Sequence, residues 1–415
     1  MLRNILLYMT MAVLALTQQG CSSDDDTFSA RQGEHTILIY MAAENNLTSD
    51  VMRNLQELKE GTRQLSDNNN VVIYVDRSSS KELPWMARVS RGQITDSVSL
   101  KDMGISDKDE LTSDPHVFED VIRYAFQRYP ATKDYGLLLW GHSTGWILED
   151  DIPYTRGFGV DNGRNDVNSA QGKWLNVTTM ARVLKKLPHL KFIFADCCNF
   201  MCLESIYELR QVADYIIGSP AEIPEIGAPY NTVVPALLSS SDNFAVQSAD
   251  MCFERKVKGL ELPLAVAKTS EMEQLAQATR VALKAVNNEL SGGFPDMTGI
   301  MYYYYRNPKF FYHPEYNVFY DAGDFFRTHL TEADYQSWKQ ALDKVVVYKK
   351  YSTKWNTDKM WDTFYGSNFI ISPEKEHGVS MFVPQSPLSG DYAKYNLDIQ
   401  QYEWYKAAGY KEVGW

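Results

Sequence analysis

The feature of this sequence that most constrains its fold is a regular alternation between short apolar runs and amphipathic segments. The apolar runs are rich in β-branched and aromatic residues, which is typical of buried strands, and they span residues 35–42, 71–75, 136–140, 191–195 and 215–219. The segments between them carry apolar residues at helical spacing and span residues 51–59, 117–128, 177–186 and 201–212. Strands buried on both faces and separated by helices predict an α/β fold, with a mainly parallel sheet sandwiched by helices.

Two further parts of the chain extend this pattern. Residues 84–100 alternate polar and apolar side chains and predict a pair of strands at an edge of the sheet. Beyond residue 258 the chain is less regular, with helices predicted over 271–290 and 332–346 and a strand at the end of 377–384. Because no Pro- or Ser-rich linker separates the halves, we expect residues 35–258 to form the main domain, with residues 259–415 packed on it as an α/β extension.

The first residues are typical of a secretory signal. Arg3 precedes an apolar stretch over residues 5–16 that is too short to span a bilayer comfortably. Gly20 and Cys21, followed by an acidic run, resemble the cleavage box of a bacterial lipoprotein. We therefore expect a signal peptide over residues 1–20, lipidation of Cys21, an acidic tether over residues 21–34, and attachment to the outer membrane at the cell surface. The alternative is an ordinary signal peptide with a chance cysteine.

Charge and cysteine content exclude two broad classes of protein. The chain has 41 basic and 53 acidic residues, a net charge of −12 and a pI near 5.2, which argues against nucleic acid as a partner. Four cysteines remain after Cys21, and three of them lie within six residues, unlike the spacing of a disulfide scaffold: Cys197, Cys198, Cys202 and Cys252. They form no C-x₂-C pair, and no histidine at ligand spacing accompanies them, so we expect no metal at this cluster.

Two of the predicted strands are followed by residues suited to nucleophilic catalysis. His142 follows the strand over residues 136–140, and Cys198 follows the strand over residues 191–195. One strand–helix–strand crossover separates them, so both should lie at the carboxyl edge of the sheet, where ligands bind in such folds. A neighbouring histidine favours the thiolate of a cysteine, and a helix beginning near Met201 would add the positive end of its dipole. The sequence therefore predicts a thiol nucleophile activated by His142.

Three motifs at the strand ends resemble the clostripain family of cysteine peptidases, which are relatives of caspases, gingipains and legumain. They are the Asn-rich turn over residues 39–47, the pattern Leu-Trp-x-His-x-x-Gly-Trp at residues 139–146, and the Asp-x-Cys pattern that opens residues 196–204. Residues 321–325 and 377–380 look like C-terminal pieces of the same family. The resemblance extends from about residue 35 to residue 384 and implies a caspase-like fold with a C-terminal α/β extension.

The resemblance also implies a role for individual residues. It implies a cysteine endopeptidase acting on peptide or protein substrates through a Cys-His dyad, with Cys198 as the nucleophile and His142 as the general base. The backbone N–H of Ser143 is implied as part of the oxyanion hole. Asp196 is implied as a wall of the S1 pocket, where a carboxylate would pair with an Arg or Lys before the cleaved bond.

The resemblance implies no required cofactor, but clostripain uses Ca²⁺. The loop over residues 149–172 carries several carboxylates and is therefore a candidate Ca²⁺ site: Glu149, Asp150, Asp151, Asp161 and Asp166.

Alternatives remain open from the sequence. Cys197 adjoins Cys198, and the family register, with Asp196 two residues before and Glu204 six residues after, favours Cys198 as the nucleophile. Asp196 would also serve as a cap for the turn that follows it. A non-catalytic surface lipoprotein that binds glycan or protein on a peptidase-like fold is the alternative function, motivated by the tyrosine content and the predicted surface location. The tyrosine run over residues 302–305 is a candidate sugar-stacking surface, although packing in the core is the alternative.

Overall fold

A computed structural model describes residues 30–79, 82–148, 157–163, 173–254, 263–290, 293–303, 318–351, 373–386 and 390–415. The predicted signal peptide and Cys21 lie outside these residues. In chain order the strands are β1 (Gly33–Ala43), β2 (Asn69–Arg77), β3 (Trp85–Ser90), β4 (Gln93–Ser99), β5 (Ala131–Trp140), β6 (Phe158–Asp161), β7 (Lys173–Leu175), β8 (Leu190–Asp196), β9 (Ala213–Gly218), β10 (Leu264–Lys268), β11 (Tyr320–Asp321), β12 (Val346–Lys350) and β13 (Ser380–Met381).

Nine of these strands form one sheet in the order β12-β10-β9-β8-β5-β1-β2-β3-β4. The five central strands, from β9 to β2, run parallel to one another. The outer strands are antiparallel: β3 and β4 form the predicted pair at one edge, and β10 and β12 lie at the other. The predicted α/β fold with a mainly parallel sheet is confirmed.

Helices cover both faces of the sheet. In chain order they are α1 (Val51–Thr62), α2 (Pro115–Arg128), α3 (Val177–Leu184), α4 (Leu203–Leu209), α5 (Tyr230–Leu237), α6 (Phe244–Phe253), α7 (Met272–Glu289), α8 (Ala322–His329), α9 (Glu332–Val345), α10 (Gly390–Asp398) and α11 (Glu403–Ala407). Short 3₁₀ turns occupy Thr269–Glu271, Ile399–Gln401 and Tyr410–Val413. No helix among the described residues is both long enough and apolar enough to cross a membrane.

The alternation of side chains along the central strands builds two hydrophobic cores. Along β1, Leu38 and Tyr40 pack on the face that carries α2, α3 and α4, while Ile37 and Ile39 pack on the face that carries α1, α5 and α6. All four side chains are buried. Burial on both faces explains why the central strands are continuously apolar in sequence rather than alternating with polar residues.

One helix begins later than the sequence predicts. The helix expected to begin near Met201 begins at Leu203, five residues after Cys198, because Cys202 is extended and forms a β-bridge with Ser380. The effect of a helix dipole falls off within its first turn, so α4 contributes little to a thiolate at Cys198. The strand predicted in the segment 377–384 is present as the two-residue strand β13, which pairs with β11.

The register of β5 and β8 sets the position of the loops that follow them. Trp140 at the end of β5 pairs with Asp196 at the end of β8. His142 and Cys198 each lie two residues beyond this pair, so two neighbouring loops leave the carboxyl edge of the sheet at the same level. The sequence prediction that these loops lie side by side follows from this register.

Candidate active site

His142 lies on a tight turn after β5, and the position directly before it requires a glycine. Gly141 has a φ of +149°, and a Cβ atom there would lie 2.9 Å from the carbonyl oxygen of Ala42. The carbonyl of His142 then accepts a hydrogen bond from the N–H of Gly159 at 2.8 Å. The turn and β6 together fix the backbone that carries the imidazole.

The side chain of His142 is oriented by an asparagine from another loop. Its Nε2 lies 2.6 Å from Oδ1 of Asn46, in the turn after β1. Because an amide oxygen can only accept a hydrogen bond, Nε2 must carry the proton in the neutral ring, which leaves Nδ1 as the basic nitrogen. Asn46 has no role among the sequence predictions, although the Asn-rich turn that contains it is one of the motifs of the resemblance.

The two adjacent cysteines have different environments. Cys197 is fully buried in the core, whereas Cys198 is half-buried and lines a cleft. Asn199, which follows, adopts a left-handed conformation with a φ of +54°, so the chain turns sharply just after Cys198. The structure therefore separates a core cysteine from a cysteine that a substrate can reach.

The cleft at the carboxyl edge of the sheet has a volume of about 470 Å³. It brings together residues that follow β1, β5, β8 and β9, and it is lined by Asn46, Leu47, Trp140, Gly141, His142, Asp196, Cys198, Glu222, Ile223, Pro224, Glu225 and Gly227. His142, Cys198 and Asp196, three of the predicted site residues, thus share one cleft. The lining carries three carboxylates and no lysine or arginine, so the cleft suits a cationic group.

The thiol of Cys198 is held in its neutral form when no substrate is bound. Burial, followed by the negative charge of Glu222, raises the pKa of Cys198 to about 12. The N–H of Ile223 donates a weak hydrogen bond to Sγ at 3.4 Å, and this hydrogen bond lowers the pKa of Cys198. A thiol with this pKa must lose its proton to a base during the reaction rather than before it.

We expect Glu222→Gln to accelerate alkylation of Cys198 by iodoacetamide. Removing a negative charge beside the sulfur favours the thiolate, so the pKa of Cys198 should fall and the rate at pH 8 should rise about threefold. The measurement is the alkylation rate from pH 7 to pH 10, followed by mass spectrometry of the peptide that contains Cys198. Glu225→Gln is the matched control, because Glu225 lines the same cleft but is not among the charges that raise this pKa. Equal acceleration by both variants would show that the effect is not specific to Glu222.

Asp196 lies at the end of β8 with a buried carboxylate. Its Oδ2 accepts hydrogen bonds from the hydroxyl of Tyr230 at 2.7 Å and from the N–H of Ala228 at 2.9 Å. Gly227 packs against the same oxygen, since a Cβ atom there would lie 2.7 Å from it. These contacts fix the carboxylate in the wall of the cleft, and they also hold the segment that follows β9 against the end of β8.

Ser143 lies beside the cleft with its side chain turned inward. Its hydroxyl accepts a hydrogen bond from the N–H of Gly145 at 3.1 Å and interacts with the buried thiol of Cys197. A β-bridge joins Ser143 to Phe158, but its hydrogen bonds use the N–H of Thr144 and the carbonyl of His142 rather than the N–H of Ser143.

Other sequence predictions fall partly outside the described residues. Of the carboxylates in the candidate Ca²⁺ loop, Asp161 is described and buried, whereas Glu149, Asp150, Asp151 and Asp166 lie outside the described part of the chain. In the tyrosine run, Tyr303 is fully buried, and its hydroxyl donates a hydrogen bond to Asp321 at 2.5 Å. Tyr303 therefore packs in the core rather than forming a sugar-binding surface.

Solved structures of cysteine proteases resemble this fold over most of the chain. A secreted C11 cysteine protease from Bacteroides thetaiotaomicron, in complex with an irreversible peptide inhibitor, is 25% identical and has a TM-score of 0.72, covering 92% of this chain and 100% of its own. An inactive zymogen C11 protease from Parabacteroides distasonis is 26% identical with a TM-score of 0.71, covering 91% and 98% respectively. A cysteine protease from B. fragilis is 30% identical with a TM-score of 0.50, covering 60% and 98%.

The comparison with protein families agrees with the similarity to these solved structures. No curated protein matches the chain. The model of the clostripain family, in contrast, matches residues 39–415, which include all the residues that line the cleft. The chain therefore belongs to the clostripain family and is a cysteine-type peptidase.

Proposed function

We propose that this peptidase is an endopeptidase that cleaves after Arg or Lys, with Cys198 as its nucleophile and His142 as its general base. The observation that supports this most strongly is the shared cleft, in which a half-buried thiol, an oriented imidazole and a fixed carboxylate are all present. The alternative of a non-catalytic binder is disfavoured by the membership of the chain in a family of cysteine peptidases.

The first half of the reaction forms a thioester. Nδ1 of His142 takes the proton of the Cys198 thiol while Sγ attacks the carbonyl carbon of the substrate, and the electron pair of the carbonyl moves to its oxygen. The N–H of Ser143 stabilises that oxyanion by a hydrogen bond. The oxyanion then collapses, the C–N bond breaks, and the imidazolium of His142 gives its proton to the departing amine.

The second half of the reaction restores the enzyme. His142 takes a proton from a water molecule as the water oxygen attacks the thioester carbonyl, and a second oxyanion forms at the same position. Its collapse breaks the C–S bond and releases the carboxylic acid product. The proton held on His142 returns to the sulfur, which gives back the neutral thiol that the buried environment of Cys198 favours.

Substrate selection rests on the acidic lining of the cleft. Asp196 is already fixed by Tyr230 and Ala228, so pairing with a guanidinium or ammonium group requires little rearrangement of the carboxylate. Glu222 and Glu225 add negative charge on the same side. A basic side chain bound here would also offset the charge of Glu222 that raises the pKa of Cys198, so binding of the preferred residue would favour the thiolate.

We also propose that the chain is exported and anchored through Cys21. Support comes from the sequence of residues 1–26 and from the similarity to a secreted relative. Mass spectrometry of the mature N-terminus would show an acylated Cys21, whereas an unmodified N-terminus at another residue would contradict the anchor.

The experiment that tests the proposed specificity is a peptide library in which only the residue before the cleaved bond varies. Purified protein should cleave the members with Arg or Lys at that position at least about 100-fold faster than the members with Leu, Ala or Asp, since an unpaired carboxylate in the pocket disfavours them. Cleavage sites are identified by mass spectrometry. Preferential cleavage after acidic or apolar residues would contradict the proposal.

A further inference from the structure

A buried carboxyl group lies on the helix that follows Cys198. Glu204 is in the first turn of α4, six residues after that cysteine, and is fully buried. Its Oε1 accepts a hydrogen bond from the N–H of Phe382 at 2.7 Å, whereas its Oε2 has no hydrogen-bond partner among the described residues. An ionised carboxylate here would therefore have a single donor from another segment, and no positive charge in the described part of the chain compensates it.

The neutral acid is the form of Glu204 that this environment favours. Burial raises the pKa of Glu204 to about 8, although the hydrogen bond from the N–H of Phe382 acts to lower it. The titratable groups that face Glu204 are also buried, and burial raises the pKa of each: Cys202, Tyr402 and Tyr410. The described charged groups on α4 and on the elements packed against it do not act on the pKa of Glu204: Arg182, Glu208, Arg210, Glu271, Glu403 and Lys406.

The segment that Glu204 binds supports the backbone directly after the nucleophile. In this segment the N–H of Ser380 donates a hydrogen bond to the carbonyl of Met201 at 3.0 Å. From the other side, the N–H of Asn199 donates to the carbonyl of Ala221 at 2.9 Å. The backbone that follows the nucleophile is therefore held between the segment after β9 and the C-terminal extension.

Phe382 also connects this support to the loop of the histidine. Its ring packs against Trp146, with the two ring centroids 4.6 Å apart, and Trp146 lies four residues after His142. Its carbonyl accepts a hydrogen bond from the hydroxyl of Tyr410 at 2.8 Å. Glu204 and Tyr410 thus fix the N–H and the carbonyl of one residue that joins the segments after both reactive side chains.

We propose that Glu204, as a neutral acid, is a positioning residue for Cys198, because it fixes Phe382 and, with it, the segment that supports the backbone after the nucleophile. This inference rests on the proposed role of Cys198 in the reaction. A neutral acid needs no counter-ion, and its carbonyl oxygen is sufficient to accept the N–H of Phe382. Glutamine at this position would provide the same acceptor, whereas methionine would fill the space without one.

Thermal melting tests the protonation state of Glu204 without relying on activity. In the full chain carrying Cys198→Ala, the melting temperature of Glu204→Gln relative to its parent should rise by about 4 °C between pH 5 and pH 8. The carboxyl group loses its proton near its usual pKa of 4.5 in the unfolded chain and near 8 in the folded protein, so the parent loses stability between these two values. Glutamine has no proton to lose in this range.

Glu289→Gln, at an exposed glutamate of α7, is the matched control and should follow the parent at both pH values. A melting difference between Glu204→Gln and its parent that is the same at pH 5 and pH 8 would show that the folded protein holds a charged carboxylate, and would overturn the proposal.

Peptidase kinetics with Cys198 present test the positioning role. At pH 7, Glu204→Gln should keep kcat within about twofold of the wild type, whereas Glu204→Met should lower kcat by about tenfold and leave KM within about twofold. A misplaced nucleophile slows the reaction, while the pocket around Asp196 still binds substrate. If circular dichroism shows that Glu204→Met does not fold, Glu204→Asp, whose carboxyl group is one methylene shorter, replaces it.

An unchanged kcat in the folded Met or Asp variant, or an equal loss in Glu204→Gln, would overturn the positioning role. Activity that persists in Cys198→Ala would instead refute the proposed nucleophile, so the two failures are distinguishable.

Discussion

Cys198→Ala is expected to abolish peptidase activity, with a loss of at least about 10⁴-fold in kcat, while Cys197→Ala retains activity close to that of the wild type. The reason is the different position of the two sulfurs. Cys198 lines the cleft together with His142, whereas Cys197 is completely buried in the core. Loss of the core thiol removes a small buried group and should affect the free energy of unfolding more than the reaction.

Covalent labelling provides the measurement. A peptide chloromethylketone ending in Arg should modify Cys198 alone, as located by mass spectrometry, and Cys198→Ala should remain unlabelled. Circular dichroism and thermal melting should show that both alanine variants are folded. Labelling of Cys197 in the wild type, or persistent activity of Cys198→Ala, would assign the nucleophile to another residue and refute the proposed dyad.

Asp196→Asn is expected to lower kcat/KM for Arg and Lys substrates by about 100-fold and to leave slow cleavage after uncharged residues within about threefold. Removing one member of a desolvated charge pair costs about 2–5 kcal/mol, because the charge of the substrate is then left buried without a partner. Asparagine has the same shape and keeps an oxygen that can accept from Tyr230 and Ala228. The variant should therefore alter the charge of the pocket without unfolding its wall.

Glu225→Gln is the appropriate comparison, since it removes the same charge from an exposed position in the lining. We expect it to change the preference for Arg and Lys much less than Asp196→Asn does, because exposed charges are screened by water. Both variants should be measured with the peptide library described above and with a melting curve. An unchanged preference in a folded Asp196→Asn variant would show that Asp196 serves only as a structural cap.

The positions of the strands show how well local sequence patterns predict secondary structure in this protein. The apolar runs at 71–75 and 191–195 lie inside β2 and β8, and the predicted pair of edge strands corresponds to β3 and β4. Such strands can be predicted from sequence because a strand buried on both faces must be apolar over its whole length. The predicted start of α4, near Met201, was wrong because Cys202 is kept extended by its bridge to Ser380. These two residues are far apart in the chain, so no local pattern indicates the bridge.

The functional residues also divide into those that the sequence predicted and those that only the structure identified. The loops that carry His142 and Cys198 were predicted to meet because parallel strands joined by one crossover end at the same edge of a sheet, and the register of Trp140 with Asp196 places them there. Asn46 and Glu222 were not assigned, because their effects depend on which atoms they approach. Asn46 acts on the imidazole through a hydrogen bond, and Glu222 acts on the thiol through its charge.

The sequence by itself therefore determined the layered α/β architecture, the two loops that carry the reactive groups, and the family to which they belong. Hydrophobic periodicity and the alternation of strands and helices along the chain are local properties, and the sequence encodes them directly. The tertiary structure alone decided how burial and Glu222 raise the pKa of Cys198, and which side chain orients the imidazole of His142. These depend on distances, desolvation and burial between residues far apart in the chain, which no local pattern records.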